Sequence, residues 1–288
     1  PLRFPTSRLL SNPQAICYSI STMIITSQSN PRIKHIRALR QRKERDQTGL
    51  AFIEGIHIVA EAAALPDTIE TLVVAPELLS SSFAQELAQA QQSQGIPCLE
   101  VTAEVFGSLS AKEGPQGIGA VIHQRWESLG QIALSDEFCW VALDAVQDPG
   151  NLGTILRTCD AVGCSGIMLL GQSTDPYDAT ALRASMGAIF TQRLVKASFA
   201  DFIAWKQRHG YTVVGTSGAA ASDYQSAAYR FPTILLMGSE RQGLSSDQLA
   251  ACDLVVSLPM VGRADSLNLA VATGVMLYML FGVYRVQK

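Results

Sequence analysis

Paired cysteine spacings are absent from this chain. Its six cysteines, at 17, 98, 139, 159, 164 and 252, include no CxxC pair, whereas zinc sites usually show paired ligands and disulfide frameworks belong mostly to small secreted chains. Free thiols in a reducing cytoplasm are therefore expected, with no metal. Phosphate-cradle signatures are also missing. No GxGxxG follows the apolar run at 139–143 and no glycine loop ends in Gly-Lys-Ser/Thr, which disfavours a nicotinamide-dependent oxidoreductase. Charge is scarce, at 16% against 48% hydrophobic residues, so wholesale disorder is excluded and a sizeable core is expected. The most apolar uncharged run, 266–284, opens on polar residues and holds Asn268, Thr273 and two glycines. It fits a buried helix better than a membrane span. Internal repeats and low-complexity tracts are absent as well. Residues 1–22 lack any acid, and Met23 then opens Ile24-Ile25-Thr26-Ser27 like a natural start. Residues 1–22 are thus expected to be a non-native or disordered extension.

What charge there is lies unevenly. The net formal charge is −3, yet Arg32, Lys34, Arg37, Arg40, Arg42, Lys43 and Arg45 face only Glu44 within 32–45. A basic segment on an otherwise acidic chain suits a phosphate backbone, or simply a solvated helix face.

Ser29, Asn30 and Pro31 precede Ile33, Ile36 and Leu39: a cap, a first-turn proline and a helical stripe, with the basic side chains on the other faces. Strand patterns at 52–55, 71–75, 97–101 and 117–122 alternate with helical patterns at 56–64 and 82–94, the latter carrying apolar Phe83, Leu87 and Ala90. Such alternation implies a small α/β domain over 23–125. Residues 126–137 are polar and mixed, a linker. In 138–288, near-continuous apolar runs at 139–143, 166–170, 212–215 and 233–237 are separated by helical patterns at 151–162, 178–188 and 199–209. That pattern predicts a parallel sheet covered on both faces.

Three blocks sit where buried strands should end, the usual place for ligand sites in open α/β sheets. In the first, Asp144 and Asp148 flank a strand end, Pro149-Gly150 makes the turn, and Asn151 is expected to cap a helix carrying Arg157. An arginine on the inner part of that helix can meet a phosphate with a planar fork of donors; the alternative is an ion pair with Asp144 or Asp160. The second block, Gly238 to Leu244, places Glu240 at a strand end, a poor companion for phosphates but suited to a positive or hydrogen-donating ligand. The alternative is a turn into a helix capped by Ser245. In the third, Pro259 stops a strand and leaves backbone groups near 258–260 for a flat polar edge such as adenine. Ser266 and Asn268 follow at a helix mouth; singly, such residues are more often caps than catalysts.

Taken together, NLGTILR at 151–157, GSERQGL at 238–244 and LPMVGRADSLNLAVATG at 258–274 resemble the three signature motifs of the SpoU-like (TrmH) ribose 2′-O-methyltransferases, knotted members of the SPOUT class. The similarity extends through Phe52-Ile53-Glu54-Gly55 and Pro115-Gln116-Gly117-Ile118, which resemble that family's ribosomal-protein-like RNA-binding domain. The resemblance implies a doubly wound sheet whose C-terminal segment is threaded into a trefoil knot, a rare topology that periodicity cannot reveal. It also implies a homodimer through the C-terminal domain and S-adenosylmethionine held by Met237, Gly238, Leu258, Met260, Ser266 and Leu267. Arg157, then Asn151, Glu240, Ser266 and Asn268, are the implied catalytic residues, and Arg32, Lys34, Arg37, Arg40, Arg42 and Lys43 the RNA contacts. In an in-line methyl transfer to a ribose 2′-hydroxyl, positioning should dominate. A guanidinium is very hard to deprotonate, so the role expected of Arg157 is to clamp an RNA phosphate and stabilise the developing alkoxide. Arg241 stands where the family often has glycine. The implied substrate is structured RNA, with 23S-type ribosomal RNA favoured over tRNA. The rival from another class is a catalytically silent RNA-binding protein of the same fold, which would not need all three blocks.

Overall fold

The computed structural model describes residues 24–111, 113–133 and 138–288; the expected extension at 1–22 and part of the expected linker lie outside them. The N-terminal unit runs α1 (Pro31–Ala38), α2 (Arg42–Thr48), β1 (Leu50–Glu54), α3 (Ile56–Ala63), β2 (Ile69–Val74), α4 (Ser82–Ser93), β3 (Cys98–Glu100), α5 (Ala103–Leu109) and β4 (Ile118–His123). Its sheet has the order β1-β4-β2-β3, with β4 antiparallel to both neighbours and β3 parallel to β2. Side chains alternate between faces along a strand, and here both faces are apolar. Ala51, Ile53, Leu72, Val74, Ala120 and Ile122 pack with α3 and α4, while Leu50, Val73 and Val121 pack with α1 and α5.

Local details depart from the sequence pattern in two places. The basic segment is two helices, not one. Arg45 turns inward and its Nη1 donates to the carbonyls of Leu39 and Arg40, both at 2.8 Å, occupying acceptors that a continuous helix would give to its own amides. On α4 the core face is Ala84, Ala88 and Gln91, one residue away from the expected stripe, and Phe83 is 51% exposed. Small side chains let that helix lie close to the sheet.

The C-terminal unit runs β5 (Cys139–Asp144), α6 (Pro149–Val162), β6 (Gly166–Leu170), α7 (Ala179–Ser185), β7 (Arg193–Ala197), α8 (Phe199–His209), β8 (Thr212–Thr216), β9 (Ser222–Asp223), β10 (Thr233–Met237), α9 (Ser246–Ala250), β11 (Leu254–Ser257) and α10 (Leu269–Gln287). Its seven strands follow the order β7-β6-β5-β10-β8-β11-β9, all parallel. Val141, Leu143, Ile167, Leu169 and Leu235 join the core under α6, α7 and α10. Trp140, Ala142, Met168, Ile234 and Leu236 face the layer of Phe202 and Trp205 on α8. Two buried faces explain the near-continuous apolar runs. Because every strand is parallel, the carboxyl ends of β5, β8, β10 and β11 open on one side.

Glycine sets the closest approach in this unit. A Cβ at Gly153 would strike the Ala181 carbonyl and the Ala184 side chain, so α6 lies hard against α7 only because that position has none. The 19-residue α10 buries Leu269, Ala270, Thr273, Met276, Leu277 and Leu280. It is long and apolar enough to cross a membrane by composition alone. Its other side carries Val271 at 52% and Tyr278 at 57% exposure, so the expected buried helix is buried on one face.

Candidate cofactor cleft

A cleft of about 600 Å³ opens at the carboxyl ends of β8, β10 and β11. Met237 and Gly238 line it from β10 and the turn after it, Leu258 and Met260 from the segment after β11, and Ser266 and Leu267 from the approach to α10. Thr216, Ser217 and Gly218, from the end of β8, complete the wall. Residues 258–268 form neither helix nor strand, so their amides and carbonyls have no regular ladder to satisfy them. The turn after β10 is drawn tight: Gly243 N–H donates to the Ser239 carbonyl at 2.9 Å, and a Cβ on Gly238 would collide with the Gly243 backbone. Among the lining residues, Glu240 and Asp265 are acidic and Arg241 alone is basic. That balance suits a cationic ligand and opposes a polyphosphate.

One carboxylate joins the first two blocks. Glu240 accepts from Gln147 N–H at 3.1 Å, Asp148 N–H at 3.1 Å and Asn151 Nδ2 at 3.3 Å. Partial burial opposes its charge, but the amides of Asp148, Glu240 itself, Gln147 and Asn151 outweigh that and hold the carboxyl below its ordinary value of 4.5. The third block joins through Asn268, whose Nδ2 donates to Asn151 Oδ1 at 3.0 Å while its own Oδ1 accepts from Ala270 and Val271 N–H. Two sequence expectations change here. The N-cap of α6 is Asp148, whose Oδ1 accepts from Asn151 N–H at 2.7 Å, because Pro149 with its fixed φ starts the helix. Asn151 therefore sits in the first turn, free to bond sideways to Glu240 and Asn268. Glu240 is committed to protein donors before any ligand. Ser245 does cap α9, and its hydroxyl accepts from Gln248 N–H.

Arg157 is placed differently from the expectation of an inner helix face. It is exposed on α6, six residues and so about 9 Å of helix rise beyond Asn151, and it does not line the cleft. Among the described residues no hydrogen bond or ion pair holds its side chain, with Asp144 and Asp160 bonded elsewhere, to Gln248 and Thr191. Its neighbour Thr158 lies beside α10: a Cβ on Gly274 would meet the Thr158 methyl at 3.8 Å.

A model of the SpoU rRNA Methylase family matches residues 139–278, and a model of the MRM3-like substrate binding domain matches residues 30–120. The 23S rRNA (guanosine(2553)-2'-O)-methyltransferase of Bacillus subtilis is 31% identical over 258 residues, covering 90% of this chain and 99% of that protein. The chain belongs to the SpoU methylase family. Another relative, the 23S rRNA (uridine(2479)-2'-O)-methyltransferase of Streptomyces viridochromogenes, is 30% identical over 88% of this chain and 90% of its own length. Among solved structures, an AdoMet-bound rRNA methyltransferase from Sinorhizobium meliloti superposes with a TM-score of 0.82 at 40% identity, covering 90% of this chain and 97% of that one.

In this SpoU chain the expected RNA contacts divide in two. Arg37 donates to Ser108 Oγ at 2.8 Å, Arg40 to the carbonyls of Ser108 and Ser110 at 3.1 and 2.8 Å, and Arg42 to the Ser173 carbonyl at 2.9 Å. These guanidiniums donate to backbone carbonyls and a hydroxyl of the protein itself. Arg32, Lys34 and Lys43 are exposed, with side chains that no other described residue holds. Sequence reasoning missed Gln147 and the Thr216-Ser217-Gly218 wall. The latter had a signal, a small polar turn closing the apolar run of β8; Gln147 had none, since it bonds to Glu240 from 93 residues away.

Proposed function

We propose that this protein methylates a ribose 2′-hydroxyl in structured RNA, using S-adenosylmethionine, and that its substrate is a 23S-type ribosomal RNA. The observation that carries this reading is that the second and third sequence blocks line one cleft built from strand-end backbone, with no cation other than Arg241 in its lining, while Asn151 of the first block is hydrogen-bonded to both. Two relatives covered along most of their length are named as 23S rRNA 2′-O-methyltransferases, and one superposed structure is AdoMet-bound. The match to a substrate-binding domain model over residues 30–120 supports an RNA partner for the N-terminal unit.

The cleft fits S-adenosylmethionine by its chemistry. Backbone groups at 238 and 258–260 offer edge recognition to adenine, Met237, Leu258, Met260 and Leu267 offer apolar contact, and the acids suit a ligand bearing a sulfonium and an ammonium. The bound cofactor would supply an activated methyl group. The chain's own work is positioning. Glu240, Asn151 and Asn268 hold the three loops in register, Ser266 offers a hydroxyl at the cleft mouth, and Arg157 is the group we assign to the RNA phosphate and the developing alkoxide.

We further infer a homodimer through α10, with Arg157 beside that face. Val271 and Tyr278 are large apolar side chains left exposed on that helix, which suits an interaction surface. The threaded knot is part of the same reading: β11 inserts between β8 and β9, and the chain then returns to pack α10 on α6. Cys139, Cys159 and Cys164 are buried free thiols, which suits a reducing cytoplasm. The experiment that tests the function is calorimetric titration with S-adenosylmethionine, followed by mapping of methylated riboses in transcribed rRNA and bulk tRNA. Binding of about one cofactor per protomer and a mapped rRNA ribose are expected. Methylation confined to tRNA would replace the substrate, and no binding even with RNA present would leave the silent RNA-binding rival ahead.

A further inference from the structure

Arg45 and Asp175 are buried to 4% and 3% exposure, and together they bridge the two units. Arg45 Nε donates to Asp175 Oδ2 at 2.8 Å. Other atoms of the pair are bonded too: Arg45 Nη1 donates to two carbonyls of the α1–α2 turn, and Asp175 Oδ1 accepts from Tyr177 N–H at 2.9 Å. Further hydrogen bonds of this kind offset the desolvation of a buried ion pair. Close by, Arg42 donates to the Ser173 carbonyl at 2.9 Å, Tyr177 Oη accepts from Arg125 N–H at 2.7 Å, and Lys196 Nζ meets Asp46 at 3.3 Å.

The same loop reaches the cofactor cleft from its other end. Thr174 N–H donates to the Val146 carbonyl at 2.7 Å. Gln147 Nε2 donates to the carbonyls of Gln172 and Ala145, both at 3.0 Å, and Gln147 N–H binds Glu240. Between them Ala145 is held at φ 54°, a left-handed conformation uncommon for a residue with a side chain. A continuous set of hydrogen bonds thus runs from the basic α2, through residues 171–178, to the carboxylate that joins the first two blocks.

We infer that the loop of residues 171–178 is a latch that fixes the substrate-binding unit relative to the cofactor cleft, with Arg45–Asp175 as its anchor and Gln147 as its link to Glu240. The inference rests on the methyltransferase reading for its kinetic consequences and on this geometry alone for its mechanical ones. Arg45, Asp175 and Gln147 do not line the cleft; they are positioning residues. Arg42 and Arg45, basic in sequence, serve here as joints between units and not as phosphate contacts.

The test uses the full chain and two variants. Arg45→Met/Asp175→Leu keeps volume and leaves no unpaired buried charge; Gln147→Ala removes the exposed side chain's bonds to Gln172 and Ala145, leaves its backbone N–H on Glu240, and tests the latch even where the double variant fails to fold. Three quantities are measured: calorimetric Kd for S-adenosylmethionine, kcat and KM on transcribed 23S-type rRNA, and radius of gyration by small-angle scattering. The expected result is cofactor affinity within about twofold of the parent, kcat/KM for RNA lowered about tenfold or more, and an enlarged radius for the double variant. RNA kinetics unchanged in both variants would overturn the inference, as would cofactor affinity and RNA kinetics falling in parallel. A parent chain that binds no S-adenosylmethionine would sink the methyltransferase reading, while an unchanged radius in the folded double variant would sink the latch by itself.

Discussion

Arg157 and Glu240 share the same cluster of motifs but face opposite demands. Arg157 is exposed and no described residue holds its side chain, which suits the phosphate contact proposed for it. Glu240 already accepts three N–H groups and gives the cleft its shape. Replacing Arg157 with alanine should lower kcat about 10²-fold, the usual loss when a transition-state donor is removed, and leave the calorimetric Kd for cofactor unchanged. Arg157→Lys should recover little of that, because lysine keeps the charge and loses the fork; near-normal activity of this variant would rule out the bidentate clamp. Glu240→Gln weakens hydrogen bonds that are charge-assisted, and a loss of about 1.4 kcal/mol, a tenfold weaker cofactor Kd, is expected. Acid should act the same way. The Glu240 carboxyl lies below its ordinary value of 4.5 in the folded chain, so its contribution is complete above that pH and fades as pH falls through the lowered folded value. Cofactor affinity should be flat with respect to this group from pH 8 to 5 and drop only in stronger acid, a titration that Glu240→Gln should abolish.

At the scale of elements, the motif glycines are packing devices. Gly153 lies inside the NLGTILR block, yet what it meets is α7. Gly153→Val should cost about 1–3 kcal/mol by overpacking and lower Tm accordingly, while any folded fraction binds cofactor normally; a binding defect without a Tm change would show a ligand role instead. Most element positions were legible beforehand, because strands with two buried faces write themselves as apolar runs. The strand β7, with Arg193 and Lys196, and the two-residue β9, Ser222–Asp223, carry no such run and were not among the strands placed; β11 was expected only as the strand that Pro259 stops. Local pattern also misassigned the α6 cap, since Asp148 and Asn151 are equally good cap residues and only the start of the helix at Pro149 decides between them. The break between α1 and α2 was hidden for a similar reason: what ends α1 is Arg45 returning to its carbonyls.

For the whole molecule, the outward face of α10 is the unfinished part. A helix with Val271 and Tyr278 more than half exposed gains by association, and Tyr278→Arg should convert a dimer to monomer in sedimentation experiments. If Arg157 works beside that interface, the same variant should lose methylation more than cofactor binding. A parent chain that sediments as a monomer at micromolar concentration would refute the dimer. The sequence by itself determined two α/β units, the parallel sheet, and three polar blocks at strand ends, because burial periodicity and strand termination are local properties. Only the tertiary structure decided which side chains are spent on holding the molecule together. Glu240, Arg42 and Arg45 look like ligand-facing charges in one dimension. Their partners lie from 89 to 131 residues away, and a contact at that separation exists only after the sheets have stacked and brought the loops together.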